Sequence, residues 1–286
     1  MKKFILAVWL CLGGLTLGAA PVAVRDSVEY AGQMRYHYMY VPASLRAEKP
    51  LVIMLHGYGG KADGYRPEML ELAEREGFAL CIPQGLKAPK GKTGWYVGYP
   101  KQEGMRQDDD LFMCALVDTL CARHGLNRIN AFLTGMSNGG EMCYLMGRKH
   151  PGTFSAIASI AGLTMKWIWD EVPASAPVPF MEVHGTADKT SMWEGDLANE
   201  GGWGAYMPVP DAVNYWVRVD GCQASTKETL SPTVILHRWT AGLPAWADGP
   251  ACEVRLYEIV GGKHSWALSD LDTCAELWHF FELYLR

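Results

Sequence analysis

The sequence has little that would suit a nucleic-acid-binding or metal-binding protein. Its 286 residues carry 26 lysines and arginines against 31 aspartates and glutamates, a net charge of −5. The basic residues are scattered and form no stripe that could follow a phosphate backbone. No Cys-x-x-Cys pair or His/Cys cluster has the spacing of a zinc site. We therefore expect no nucleic-acid partner, no metal and no cofactor.

Internal repeats, low-complexity tracts and obvious linkers are also absent from the sequence. A hydrophobic content of 49% and a charged content of 20% are typical of a globular protein. A chain of 286 residues is long enough for one large domain with a complete core. These features predict a single α/β domain over residues 21–286.

The first twenty residues have a composition of their own. Lys2 and Lys3 precede the apolar stretch Phe4–Leu17, and small residues follow at Ala19 and Ala20. This pattern is typical of a secretory signal peptide over residues 1–20. A transmembrane anchor is the alternative, but the stretch is too short to span a bilayer comfortably. We expect a secreted or periplasmic protein whose mature chain has no membrane anchor.

Seven of the eight cysteines follow this leader, and export would permit disulfides. An odd number leaves at least one cysteine unpaired. Cys222 and Cys252 are the best candidate pair, because both lie in loop-like surroundings of glycine and proline. Four others lie in predicted strands or helices and are expected to be buried thiols: Cys81, Cys114, Cys121 and Cys143.

Predicted strands and helices alternate along the chain, which indicates a mostly parallel sheet with helices on both faces. The apolar runs that read as strands are Leu51–Leu55, Phe78–Ile82, Ile129–Leu133, Phe154–Ile160, Val178–Val183, Val234–Trp239 and Val254–Val260, after a hairpin of Ser27–Tyr30 and Met34–Val41. The predicted helices are Pro67–Glu76, Asp110–His124, Glu141–Arg148, Ala212–Val219 and Leu271–Tyr284. Residues 84–103 and 192–210 are predicted to be long loops over the active face.

A serine lies at the junction of one such strand and helix, in the pattern Gly-x-Ser-x-Gly at residues 135–139. On so sharp a turn a serine hydroxyl is held exposed above the sheet, and a side chain at either glycine would clash. The helix start behind the serine offers free N–H groups to a developing oxyanion. We predict that Ser137 is a nucleophile, although an ordinary glycine-rich turn gives the same pattern.

A nucleophilic serine needs a histidine base and a carboxylate that orients this base. On folds of this kind the three follow in the order Ser, Asp or Glu, His. Asp188 is the first carboxylate after the strand Val178–Val183, and His264 lies on a glycine turn after the last strand. We predict these two residues as acid and base. Two rival acids, Asp196 and Asp211, lie deeper in an irregular segment.

Two main-chain N–H groups are expected to form an oxyanion hole. One comes from the residue after the nucleophile, Asn138, and the other from the loop after an early strand. The stretch His56-Gly57-Tyr58 follows Leu51–Leu55, and we assign the second donor to Tyr58, with Gly57 as the alternative. His56 itself is expected to be structural.

Five short motifs carry the residues that matter most. They are His56-Gly57-Tyr58-Gly59-Gly60, Asp108-Asp109-Asp110-Leu111-Phe112, Gly135-Met136-Ser137-Asn138-Gly139-Gly140, His184-Gly185-Thr186-Ala187-Asp188 and Gly261-Gly262-Lys263-His264-Ser265-Trp266. Together they resemble the motifs of secreted polyhydroxybutyrate depolymerase-like esterases, a group that includes carbohydrate esterase family 1 with its feruloyl and acetyl xylan esterases. The resemblance runs from about residue 27 to the C-terminus. It implies an α/β-hydrolase fold, an acyl-enzyme mechanism and a late disulfide, in agreement with Cys222–Cys252.

Two departures from that family lie at the expected pocket. His264-Ser265-Trp266 continues with alanine and leucine where the family often has Pro-Gly. Tyr58 stands where some members have a cysteine in a His-Gly-Cys motif. Both changes bear on the choice of substrate rather than on the reaction.

Aromatic residues in the predicted loops suggest how a substrate could be held. Trp95, Trp203 and Trp266 could stack on a sugar ring or a feruloyl group, or could simply pack the loops. We expect removal of feruloyl or acetyl groups from plant cell-wall polysaccharide. Depolymerisation of a 3-hydroxybutyrate polyester is the alternative, and acyl transfer with the same three residues is another. A binding protein without activity is disfavoured because Ser, Asp and His are all present.

Overall fold

A ten-stranded sheet organises the computed structural model, which describes residues 21–64, 66–105 and 108–286. The strand order is β1-β2-β4-β3-β7-β8-β9-β12-β11-β10. The six central strands from β4 to β12 are parallel, and the two hairpins at the edges are antiparallel. The strands are β1 (Val24–Tyr30), β2 (Gln33–Tyr40), β3 (Leu51–Leu55), β4 (Ala79–Pro83), β7 (Ala131–Met136), β8 (Ala156–Ile160), β9 (Phe180–Gly185), β10 (Ala224–Ser231), β11 (Val234–Thr240) and β12 (Val254–Ile259); β5 (Leu86–Lys87) and β6 (Thr93–Gly94) form a separate small hairpin.

Helices cover both faces of the sheet, as the alternating pattern predicts. They are α1 (Pro67–Glu76), α2 (Asp109–His124), α3 (Asn138–Lys149), α4 (Lys166–Glu171), α5 (Val209–Val219) and α6 (Thr273–Phe281). One core contains buried residues of α2, α3, α4 and α5, and the second contains those of α1 and α6. Every residue of β3, β4, β8 and β9 is buried, which explains the continuous apolar runs of β3 and β4. The fold is that of an α/β hydrolase, which confirms the prediction.

Parallel strands bring their carboxyl ends to one edge of the sheet, where ligands bind in open α/β folds. Four loops of interest leave the sheet at this edge. His56 follows β3, Ser137 follows β7, Asp188 follows β9 and His264 follows β12. These strands are neighbours in the order β3-β7-β8-β9-β12, so residues far apart in sequence are brought to one place.

The expected disulfide is not formed in the structure, where Cys222 and Cys252 are both free thiols. The two residues are nevertheless adjacent, because the sulfur of Cys222 lies 3.9 Å from the main-chain oxygen of Cys252. The prediction was right that the segments of Cys222 and Cys252 are neighbours. The Cys222 sulfur, however, faces the main-chain oxygen of Cys252. Burial raises the pKa of the Cys222 thiol to about 11, so this group is a poor thiolate at neutral pH.

The predicted signal peptide lies outside the described residues. No helix in the part of the chain that the structure describes has the length and hydropathy needed to cross a bilayer. The described ranges also contain no group of three or more His, Cys, Asp or Glu side chains that could hold a metal ion.

Asp220 makes stability depend on pH. Its Oδ1 accepts a hydrogen bond from Val178 N at 2.9 Å, while its Oδ2 is buried without a partner. Burial raises the pKa of Asp220 to about 8. The folded state therefore holds this proton where the unfolded chain, with a carboxyl pKa of about 4, has lost it. Stability attributable to this group is present below about pH 4 and is lost as the pH rises towards 8.

Asp220→Asn should therefore become more stable relative to the parent as the pH rises. Asparagine keeps an acceptor for Val178 N and removes the buried charge. We expect the difference in unfolding free energy to grow by about 4 kcal/mol between pH 5 and pH 9, measured by urea denaturation. The exposed Asp211→Asn is the matched control. Equal pH profiles for the parent and Asp220→Asn would contradict this account.

Candidate active site

Ser137 occupies a strained turn between β7 and α3. Its φ of 55° and ψ of −121° are unusual for a residue with a side chain, and such strain costs on the order of 1–3 kcal/mol. The main chain holds it there, because Ser137 N donates to Ile160 O at 2.8 Å and Glu141 N donates to Ser137 O at 2.9 Å. The hydroxyl group lines a cavity above the carboxyl edge of the sheet.

Both glycines of the Gly-x-Ser-x-Gly pattern are required by close packing, as predicted. A Cβ atom on Gly135 would lie 2.6 Å from main-chain atoms of Gly139. A Cβ atom on Gly139 would lie 2.6 Å from Leu55 O, on the neighbouring strand β3. Distances this short are not tolerated between such atoms, so any larger residue would force the strand and the helix apart.

Asp188 and His264 meet across the ends of β9 and β12. His264 Nδ1 lies 2.6 Å from Asp188 Oδ2, and Asp188 Oδ1 accepts main-chain N–H groups from Thr190 and Ser191 at 2.7 and 2.9 Å. Burial alone would raise the pKa of Asp188, but these hydrogen bonds and the charge of His264 outweigh burial and lower it. The carboxylate is therefore held ionised beside a half-buried imidazole ring.

Ser137 and His264 line the same cavity, which has a volume of about 820 Å³. No hydrogen bond joins the Ser137 hydroxyl to His264 within the described residues. Hydrogen bonds between catalytic residues are often long before substrate binds. The grouping of Ser137 with His264 therefore rests on the shared cavity and on their order along the chain. The structure thus brings together all three residues that the sequence predicts.

The loop after β3 lies directly against the serine. A Cβ atom on Gly57 would be 3.3 Å from Ser137 Cβ, so this main chain packs closely on Ser137. Among the described residues, no acceptor takes the N–H group of Tyr58. Asn138 is the first residue of α3, where N–H groups have no partner within the helix. Both expected donors are therefore available to a ligand oxygen.

The family-model comparison matches residues 34–187 with the family described as esterase PHB depolymerase. This stretch is more than half of the chain. The chain belongs to this family of carboxylic ester hydrolases. The matched stretch includes the Gly57 loop and Ser137 and ends one residue before Asp188.

Two relatives and one solved structure show how far the likeness extends. A Nocardia uniformis subsp. tsuyamanensis protein named as a candidate esterase is 26% identical over 265 residues, covering 86% of this chain and 74% of its own. The bifunctional acetylxylan esterase/xylanase of Neocallimastix patriciarum is 25% identical over 270 residues, covering 90% of this chain but 34% of its own. An acetyl xylan esterase from Aspergillus awamori, at 16% identity, has the same fold, with a TM-score of 0.64 and coverage of 91% and 99%.

Trp95 does not line the serine cavity, so the expectation that it contacts the substrate of this esterase-family chain is wrong. Its side chain is fully buried, and its indole N–H donates to His56 O at 2.9 Å. Its main-chain N–H donates to Asn138 Oδ1 at 2.7 Å, and Asn138 Nδ2 donates to Trp95 O at 3.0 Å. Trp95 therefore fixes the loops around the serine. The side-chain amide of Asn138 holds the same segment through its two hydrogen bonds with Trp95, a role that the sequence did not reveal.

The other two tryptophans lie on different sides of the site. Trp203 lines the cavity of Ser137 and packs edge-on against Tyr58, with ring centroids 5.7 Å apart. Trp266 is 6% exposed and lines a separate cavity of about 320 Å³, beside Gly57 and Arg66. Trp203 is thus the one predicted tryptophan that faces the serine cavity.

His56 is structural, as expected. Its Nε2 accepts the main-chain N–H of Gly85 at 2.9 Å, so the proton of the neutral ring is on Nδ1, which lies 2.8 Å from Gly57 O. Burial lowers the pKa of His56, which favours this neutral form. The ring therefore holds in place the loop after β3, the predicted oxyanion loop.

A buried ionic network beneath the aspartate was missed from the sequence. His184 Nδ1 lies 3.0 Å from Glu182 Oε1, and its Nε2 lies 2.8 Å from Ser191 O. His184 Nε2 donates to the carbonyl oxygen of Ser191, and Nδ1 forms a hydrogen bond with the Glu182 carboxyl group. Burial alone would lower the pKa of His184, but the hydrogen bond and charge of Glu182 outweigh burial and raise it. The ring ties together the turn that carries Asp188.

The rival acids have other roles. Asp196 accepts main-chain N–H groups of Glu200 and Gly201 at 2.9 and 2.8 Å, which stabilises its own loop. Asp211 lies exposed in the first turn of α5. Neither forms a hydrogen bond or ion pair with His264 in the described chain.

Gly57→Ala tests the placement of the oxyanion loop. The new Cβ would crowd Ser137 Cβ and lie 3.4 Å from Met136 O, so the loop must move away from the serine. Because one oxyanion donor contributes about 10²–10³-fold to kcat, we expect a loss of at least about tenfold in kcat for p-nitrophenyl acetate, with little change in thermal stability. Gly152→Ala, where nothing lies within 4 Å, is the control. An unchanged kcat for Gly57→Ala would contradict the placement.

Proposed function

We propose that this protein hydrolyses carboxylic esters through an acyl intermediate on Ser137. The observation that carries the proposal is the shared cavity of Ser137 and His264, with His264 Nδ1 held 2.6 Å from the buried Asp188. His264 Nε2 takes the hydroxyl proton while Ser137 Oγ attacks the ester carbonyl. Asp188 orients the ring and stabilises the imidazolium that forms.

Charge on the carbonyl oxygen is stabilised by the N–H groups of Asn138 and Tyr58. The helix α3 adds its positive dipole end at the same point. When the tetrahedral intermediate collapses, His264 returns the proton to the departing alcohol. A water molecule then attacks the acyl carbon while His264 takes its proton. The bond between the acyl carbon and Ser137 Oγ breaks, His264 returns the proton to Oγ, and the acid leaves.

For the natural substrate we propose an acetyl or feruloyl ester on plant cell-wall polysaccharide. The similarity to an acetylxylan esterase supports the acetyl group. Trp203 and Tyr58 line the serine cavity, where aromatic faces can stack on a sugar or a feruloyl ring. The apolar N-terminal leader supports export to the place where such polymers occur.

A hydroxyalkanoate ester is the second candidate. The family name, esterase PHB depolymerase, favours it. A flexible polyester segment needs the same nucleophile and oxyanion hole but makes no use of a stacked ring.

A side-by-side assay separates the two candidates. Methyl ferulate, acetylated xylan and a short 3-hydroxybutyrate oligomer are supplied to the same enzyme at equal ester concentration, with Ser137→Ala as the blank. We expect the highest kcat/KM for the first or second substrate. A preference for the oligomer would replace polysaccharide esters with polyesters as the natural substrate.

A further inference from the structure

Three lysines surround the serine cavity, although the chain as a whole carries a net charge of −5. Lys90, Lys92 and Lys101 all line the same cavity as Ser137, and among the described lining residues only Glu103 carries a carboxylate. All four side chains are exposed at its rim. Within the described residues none of the three lysines forms an ion pair. Two lysines elsewhere do lie beside a carboxylate, Lys149 beside Asp110 and Lys166 beside Asp170.

The main chain that carries these lysines is fixed to the oxyanion loop. Tyr58 Oη accepts the N–H group of Lys92 at 3.1 Å, and Gly59 N donates to Thr93 O at 2.7 Å. A Cβ atom on Gly91 would lie 2.5 Å from Tyr58 Oη and 2.8 Å from Lys101 O. The turn with Lys90 and Lys92 therefore packs directly on the segment with Lys101. The main chain that carries the three lysines is therefore held beside the loop that packs on Ser137.

An aromatic wall stands beside the charges. The rings of Tyr58, Tyr99 and Trp203 contact one another with centroids 5.3 to 5.8 Å apart. Lys101 Nζ lies 3.5 Å from the centroid of the Trp203 ring, a cation–π contact. The cavity thus offers an apolar face and unpaired cations together. A cleft lined by one sign of charge concentrates ligands of the opposite sign.

We propose that the enzyme selects esters whose acyl or alcohol part carries a carboxylate close to the scissile bond, and that Lys90, Lys92 and Lys101 recognise this carboxylate. This inference rests on the proposed ester hydrolysis at Ser137. Two kinds of substrate have the required chemistry. One is an acetylated polysaccharide with uronic acid substituents, and the other is a hydroxy-acid oligomer with a free terminal carboxylate.

The test compares substrates in matched pairs that differ only in charge. One pair is an acetylated xylo-oligosaccharide with and without a uronic acid substituent. The other is a 3-hydroxybutyrate trimer with a free carboxylate and its neutral carboxamide. The readout is the ratio of kcat/KM for the charged member to that for the neutral member. We expect about a tenfold preference for the charged member of at least one pair at about 10 mM salt, falling towards equality at about 0.5 M.

Variants locate the source of the preference. Each single change Lys90→Met, Lys92→Met or Lys101→Met should lower the ratio about threefold, and the triple variant should lower it about tenfold or more. Methionine is unbranched and nearly as long as lysine, so each change removes the charge and keeps most of the apolar stem. Glu103→Gln should raise the ratio, because it removes the opposing charge. Lys227→Met makes the same charge change on an exposed part of the edge strand β10 and should leave the ratio as it is.

The outcomes distinguish this inference from the function on which it rests. Preference within the oligosaccharide pair or within the trimer pair supports the inference and identifies the source of the carboxylate. Hydrolysis of the neutral members without any preference for charge overturns the inference and leaves the ester hydrolase intact. A preference that survives the triple variant also overturns it. Failure to hydrolyse any neutral ester by a Ser137-dependent route contradicts both.

Discussion

Replacing Ser137 with alanine should lower kcat for p-nitrophenyl acetate by about 10⁶-fold, the effect of removing the nucleophile in serine hydrolases generally. The reason is that the acyl intermediate forms on the Ser137 hydroxyl group, which the variant lacks. The two N–H donors and the binding of the ester remain, so a small residual rate above that of water is expected. Because no described residue forms a hydrogen bond with the Ser137 hydroxyl group and alanine keeps the Cβ atom, the thermal stability of the variant should match that of the parent.

The exposed serine Ser225, on the edge strand β10, provides a matched control. Ser225→Ala removes an identical hydroxyl group away from the site and should retain full activity. Near-normal hydrolysis by Ser137→Ala would rule out the assignment of the nucleophile.

Asp188→Asn is expected to lower kcat by about 10⁴-fold, with a much smaller change in KM. Asp188 Oδ1 accepts two main-chain N–H groups, so the carbonyl oxygen of asparagine must occupy that position. Its NH₂ group would then face His264 Nδ1, which the carboxylate now contacts at 2.6 Å. The imidazole ring would place its proton on Nε2, where it cannot accept the proton of Ser137. Steady-state kinetics from pH 6 to 9 measures the loss.

Asp211→Asn is the control for this change, because Asp211 is a rival acid that lies exposed on α5. We expect it to have the activity of the parent. A loss of activity in Asp211→Asn that equals the loss in Asp188→Asn would show that another carboxylate orients the base.

The central elements of the fold follow from local signals. β3 and α1 have the predicted bounds, because a continuous apolar run defines the strand and proline and glycine define the helix ends. Pro67 starts α1, and Gly77 ends it with a φ of 73°. The predicted strand ends at Leu133, whereas β7 continues to Met136. The apolar pattern stops early because the strand leads into a glycine-rich turn.

Some elements could not be predicted, for physical reasons. β10 is exposed along nearly its whole length, so its polar sequence carries no alternation, and its pairing with β11 decides its conformation. α4 has six residues, too few for a helical period to emerge. The hairpin of β5 and β6 has two residues in each strand and forms on the oxyanion loop.

The three residues of the site were predictable because each follows a buried strand and their order along the chain is restricted. Burial of single side chains was not predictable. Trp95 lies in a loop segment that looks exposed in sequence, yet hydrogen bonds to His56 and Asn138 bury it. The pairing of Glu182 with His184 was also not predicted. The two residues share one face of a central strand, but the groups that surround this face are set only when the helices pack on the sheet.

The most direct test of the central claim is covalent labelling of the serine. The purified protein is treated with phenylmethylsulfonyl fluoride, digested with trypsin, and examined by mass spectrometry while hydrolysis of p-nitrophenyl acetate is followed in parallel. We predict one sulfonyl group per chain, located on Ser137, with loss of activity in proportion to labelling, and no label in Ser137→Ala. Label on a different residue, or full activity in protein labelled at Ser137, would contradict the account.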